Sequence, residues 1–176
     1  MALISKIKGT DNIDYNVRDD VNVWGGRNLI KNSNIAQSTT SASAWGYSTW
    51  RLAKPDSLKV GETLVASAKI TPGASDTWTA ATFYLYNAVQ DDGKRAKSAT
   101  VLGEIVNNHA FAKLTVNSNY TDYTDLLIYY GTAGQCTGHS GTITDVKLER
   151  GTKPTDWSPA LEDIARVNGE CLELLS

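Results

Sequence analysis

The sequence predicts an all-β protein, a β-sandwich, from three observations. Apolar and polar residues alternate over short runs. Leu64, Ala66, Ala68 and Ile70 stand against Val65, Ser67 and Lys69, and Phe83 and Leu85 against Thr82, Tyr84 and Tyr86. Turn formers break the chain at short intervals, as at Pro55, Gly61, Thr71-Pro72-Gly73 and Asp91-Asp92-Gly93. No helical period is sustained before Pro159, so short strands joined by turns are the reading that fits.

Taken in order, residues 1–26 read as an N-terminal arm. Gly9-Thr10-Asp11-Asn12 is a turn signal between two short apolar-bearing strands that carry Ile4, Ile7, Ile13, Tyr15 and Val17. In the next strand Trp50 and Leu52 share one face, and Trp45, Tyr47, Thr49 and Arg51 share the other. Strands follow at 64–70 and 82–86, around 97–106 and around 110–116. Leu126 to Tyr130 is apolar on both faces, which predicts a central strand covered on each side. The closing strand spans 142–149, with Thr144, Val146 and Leu148 expected to face inward. Beyond Pro159, Leu161, Ile164 and Val167 fall at helical spacing, and Leu172, Leu174 and Leu175 follow Gly169. So short a helix is marginal alone, so this apolar tail is expected to pack on the domain, a copy of itself or another protein.

Composition narrows the function. The chain has 176 residues, enough for one domain with a real core and short appendages. Its formal charge of −2, with no Lys/Arg cluster, gives a phosphate backbone nothing to hold. Cys136 and Cys171 lie outside any metal spacing and read as free thiols. Met1 to Lys8 lacks the apolar region of a signal peptide, and no window approaches a membrane span. The expectation is a protein made in the cytoplasm and not inserted in a membrane.

Catalytic motifs are missing. His109 and His139 have no second His or Cys at ligand spacing, and no Ser sits in G-x-S-x-G. The carboxylates Asp91, Asp92, Asp122 and Asp125 fall mainly in turns, where they suit local hydrogen bonding better than acid–base work across a sugar cleft. The aromatics are more informative. Five Trp and eight Tyr against two Phe favour rings with a flat apolar face and a polar handle, as a surface wet on one side requires. Trp45, Tyr47 and Arg51 form one candidate glycan platform; Trp78, in a polar loop, is a second. Tyr84 and Tyr86 are expected to line the same open sheet. Packing in strands is the favoured reading for any one of these residues, and most strongly for Trp50 and Trp157.

Two segments carry a family resemblance. The first is Gly26-Arg27-Asn28-Leu29-Ile30-Lys31-Asn32-Ser33. The second runs Val146-Lys147-Leu148-Glu149-Arg150-Gly151-Thr152-Lys153-Pro154-Thr155-Asp156-Trp157-Ser158-Pro159. Together they resemble the jelly-roll, carbohydrate-binding-module-like domains of bacteriophage tail, baseplate and fibre proteins. The likeness covers roughly 27–160, with a weaker match at 4–19.

The resemblance implies a jelly-roll β-sandwich over 27–159, flanked by the hairpin arm of 1–26 and a helix and apolar tail at 160–176. It implies a virion protein that meets capsid, tail or baseplate partners and forms a homo-oligomer. Its docking residues would be Ile4, Ile7, Tyr15 and Val17 in the arm and Leu161, Ile164, Leu172 and Leu174 in the tail. Trp157 would seal one end of the sandwich, with Trp50 and Leu148 in the core. Such carbohydrate-binding jelly rolls often hold a structural Ca²⁺, and no D-x-D-x-D-G loop is present here to hold one. Three functions follow: a virion structural protein that contacts host-surface polysaccharide, a purely structural decoration, head-fibre or baseplate module, and, as a distant alternative, an accessory domain of a wall hydrolase.

Overall fold

Alternation in the sequence becomes the two faces of a pleated sheet. The structure is a computed structural model and describes residues 4–8, 14–18, 26–53, 58–86, 100–116 and 124–163. The strands are β1 Ile4–Lys8, β2 Asp14–Arg18, β3 Gln37–Thr40, β4 Tyr47–Arg51, β5 Thr63–Pro72, β6 Ala80–Tyr86, β7 Thr100–Val106, β8 His109–Thr115, β9 Asp125–Tyr129 and β10 Ser140–Arg150. β1 and β2 form their own antiparallel ribbon, with Ile7 opposite Tyr15. The other eight form one antiparallel sheet in the order β3-β10-β5-β8-β7-β6-β9-β4. The all-β, jelly-roll-like class is thus as expected, with both layers hydrogen-bonded into one continuous sheet.

That sheet curls around a single core. Leu64, Ala66, Ala68 and Ile70 of β5 point inward, as do Ala110, Ala112 and Leu114 of β8, Phe83 and Leu85 of β6, Leu126 and Ile128 of β9, and Trp50 of β4. Ala66 faces Ala112 and Ala68 faces Ala110, so small side chains let the opposite layer come close. All five residues of β9 are buried, as a strand flanked by β6 and β4 and apolar on both faces should be. Curling brings the edge strands β3 and β4 toward each other. One end of this seam is zipped: Ile30 bridges Leu52, Lys31 N donates to Arg51 O (3.0 Å) and Ala53 N to Leu29 O (2.7 Å).

The closing strand departs from simple alternation. Thr144 opposes Lys69, and Lys147 opposes Ser67, so β10 carries one extra residue. Asp145 takes the left-handed conformation there, at φ 51°. This β-bulge resets the parity. Ile143, Val146 and Leu148 are the inward residues, and Thr144 is half-buried on the outer side. The expectation that Thr144 faces inward is corrected by that extra residue.

The two motif segments lie side by side. Asn28 is fully buried, and its amide joins both. Its Nδ2 donates to Ser33 Oγ (3.0 Å), Val146 O (3.0 Å) and Ser158 O (2.9 Å). Its Oδ1 accepts from Ile30 N (3.0 Å) and Leu148 N (3.2 Å). Residues 151–158 then fold back over the outer face of β10. Thr155 donates to Glu149 through both its N and its Oγ1 (2.7 Å each). Lys147 Nζ donates to Thr155 Oγ1 (2.6 Å) and Asp156 O (2.7 Å), and sits 3.4 Å from Glu149 Oε2. Lys147 and Glu149 are each only 1% exposed because this segment covers them. A Cβ on Gly26 would stand 2.3 Å from Glu149 Oε2, so only glycine lets the first motif pass there.

Trp157 is therefore corrected. It is 38% exposed and lies outside the sheet; it does not plug the core. Its chain segment is held against the outer face of β10, and its Nε1 donates to Ser33 Oγ (3.1 Å). The indole clips the closing motif to the opening one. Trp50, at 3% exposure, and Leu148 are core residues as expected. The chain turns helical at 161–163, where Arg27 pairs with Glu162 and Asp163 Oδ2 accepts from Asn32 N (2.9 Å). Leu161 is exposed; Ile164, Leu172 and Leu174 lie outside the described residues.

Candidate functional site

Pairing of β4 and β6 on either side of β9 gathers most of the expected aromatics onto one outer face. Tyr47 opposes Tyr129, Thr49 opposes Leu127, and Arg51 opposes Asp125. On the other side of β9, Tyr84 opposes Leu127 and Tyr86 opposes Asp125. Trp45 is 61% exposed and Tyr47 50%, while Tyr84 and Tyr86 are half-buried. Trp45 meets Tyr129 edge-on (6.4 Å, 71°), and so does Tyr47 (5.5 Å, 62°). Tyr84 and Tyr86 are tilted at 43°. Gly134, at φ +85°, passes under the Trp45 ring, about where a Cβ would touch it at 3.5 Å. The Trp45 ring is thus exposed but held on two sides. Arg51 is exposed at the far end of the same face.

Trp78 does not belong to this surface. It is 4% exposed and packs edge-on against Tyr130 at 5.3 Å, which overturns its reading as a loop platform. The cause is local. Its Nε1 donates to Asp76 Oδ2 (2.8 Å) and Ser140 O (3.1 Å), so the one polar atom is satisfied and the ring can be buried. Asp76 also accepts from Thr77 N (2.7 Å) and Ser140 N (2.7 Å), and pairs with His139 Nδ1 at 2.8 Å. Burial alone would raise this carboxyl's pKa. Bonds from the Ser140 amide, His139, Trp78 and the Thr77 amide outweigh it and hold the pKa at about 2.

A feature not read from the sequence lies beside the aromatic face. Past the zipped end, the seam between β3 and β4 opens as a cleft of about 550 Å³. Its walls include Gln37, Ser38, Thr39, Thr40, Ser41 and Tyr47, and no charged residue lines it. Ser48 and Tyr130 bond to each other at its buried side. Gln37 Nε2 reaches across to Thr49 O at 2.9 Å. The signal was the polar run Gln37 to Ser43, which has no alternation and suits an exposed edge strand.

Among the described residues, no group of three or more His, Cys, Asp or Glu is placed to hold a metal ion. Cys136 is a free, buried thiol whose pKa burial pushes up; Cys171 lies outside the described residues. Among the described residues, no helix is long and apolar enough to cross a membrane.

No family model and no curated protein matches the sequence. Among solved structures, the chain is similar to the tripod (BppUct-A-L) from the baseplate of bacteriophage Tuc2009, at 13% identity and a TM-score of 0.45. The alignment covers 90% of this chain and 65% of that one, so the chain spans just under two thirds of that protein's length.

Proposed function

We propose that the chain is a non-enzymatic structural protein of a bacteriophage virion, and that its β4-β9-β6 face contacts host-surface glycans. The virion reading rests on the motif pair, and one observation carries it. Asn28, Ser33 and Trp157, drawn from the two resembling segments, meet in a single hydrogen-bonded clasp. Two stretches that resemble the same virion family thus act as one structural unit. On this reading the arm of 1–26 and the tail of 160–176 are its contacts with other virion proteins.

Glycan contact is supported by Trp45 and Tyr47, which are largely exposed, neighbours on one face, and flanked by Arg51. A pyranose stacks its C–H face on such a ring while polar neighbours bond its hydroxyls. The purely structural reading also has an observation in its favour. The ring contacts on this face are edge-on or tilted, so they do not form a coplanar platform. Pull-down of purified host-wall polysaccharide separates the two. Wild-type capture that falls about tenfold or more in Trp45→Ala and Tyr47→Ala, equivalent to at least about 1.4 kcal/mol, supports glycan contact. Equal capture by wild type and both variants removes this face as the glycan site, and no capture by any of them leaves the ligand-free structural role. Trp78→Ala is no test, because it opens a cavity in the core.

A further inference from the structure

The seam between β3 and β4 has the geometry of a missing strand. Seven antiparallel pairings separate these edges, so they run antiparallel to each other. Paired strands lie about 4.8 Å apart. Here the two edges are parted by the cleft of about 550 Å³, and at its end the contact is made by the Gln37 side chain on Thr49 O, where paired strands would use a backbone N–H. One strand fills such a gap.

The backbone groups facing it can be identified. Arg51 O and Thr49 O both accept across the seam, so by the two-residue period Tyr47 also presents its N–H and C=O there. Ser41 N and O are bonded to His139 O and Gly138 N on the β10 side, so Ser38 and Thr40 face the seam. Among the described residues, no backbone partner stands opposite them. Edges left so are templates for pairing.

A source of strand is present in the same chain. Among the described strands, β1 and β2 pair with each other and with no strand of the large sheet, and a two-stranded ribbon is marginal in water unless it joins a larger sheet. Its root at Gly26 lies against Glu149, while the cleft lies by Thr142, about 20 Å away along β10. Root and cleft are thus toward opposite ends of the body.

We propose that the seam is a strand acceptor, and that its occupant is the first strand of the N-terminal ribbon of a second copy, stacked end on end. The inserted strand runs parallel to one edge and antiparallel to the other. Each copy gives at one end and receives at the other, so the contact is heterologous and builds a ring or a filament. This inference rests on the reading of residues 1–26 as a docking arm.

The test uses the full chain. Sedimentation velocity across a concentration series, with hydrogen exchange at each concentration, is run on wild type, Ser38→Pro and Ile7→Pro. Ser38→Pro removes a seam-facing N–H and keeps the ladder to β10; Ile7→Pro breaks β1. The expected result is self-association that both variants lose, with the Ser38, Thr40 and Tyr47 amides slowed at least about tenfold in the assembled wild type. The exchange measurement needs no variant, so it decides the matter even if Ser38→Pro folds poorly. A wild type that stays monomeric at every concentration overturns the inference. Association lost only in Ile7→Pro, with seam amides still exchanging freely, overturns the seam and keeps the arm. Association untouched by either variant, again with free seam amides, sinks both.

Discussion

Asn28 is one residue that holds three stretches of chain. Replacing it with Leu leaves the Ile30 and Leu148 amides and the Val146 and Ser158 carbonyls without their side-chain partner. A buried group left unpaired costs roughly 1–3 kcal/mol, so Asn28→Leu is expected to lose about 3 kcal/mol or more in urea unfolding. Asp76 predicts a pH dependence. Its carboxyl sits at about 2 in the fold against an ordinary value of 3.8. Between these values the unfolded chain binds more protons, so acid favours unfolding there. The contribution is full above about pH 4 and lost as pH falls through about 2. Unfolding curves of wild type and Asp76→Asn at pH 7, 4, 3 and 2 should therefore converge toward acid. Such residue environments were poorly legible in the sequence. Trp78 sits among polar residues and reads as exposed, yet Asp76 two positions earlier caps its indole. Trp157 reads as core, yet its segment is tied to the outside of β10. In both cases a hydrogen-bond partner decided the matter, and periodicity carries no record of partners.

At the scale of elements, alternation was a good guide wherever a strand is regular. β5, β6 and β8 bury the residues the pattern puts inward, and the doubly apolar run at β9 is a central strand. It failed at β10, because one extra residue at the bulge inverts every assignment on one side of it. The same strand shows why Lys147 and Glu149 alternate as surface residues yet are buried: a later segment covers them. That cover rests on the Lys147–Glu149–Thr155 network. Removing one partner of a buried ion pair leaves the other uncompensated, so Glu149→Gln is expected to cost roughly 3–5 kcal/mol in urea unfolding. Protease cutting within 151–158 should accelerate in the same variant, which a time course read by mass spectrometry checks.

For the whole molecule, the class was legible and the closure was not. Strand periodicity announces a sheet with an apolar side, and Asn28 with Leu148 shows that the two resembling segments do belong together. How far the sheet curls, and that its edges stop short of each other, depends on backbone spacing that side-chain pattern does not encode. The aromatic face was partly legible: Tyr47, Tyr84 and Tyr86 share it as their parity predicts, while Tyr129 was missed inside an apolar run.

Residue 27 and residue 162 are ion-paired neighbours, so the polypeptide enters and leaves the body through one doorway. A unit built this way can be spliced into a loop of some larger scaffold without stretching either junction. Evolution could move it between proteins as a cassette, and an engineer could rotate its starting point around the circle.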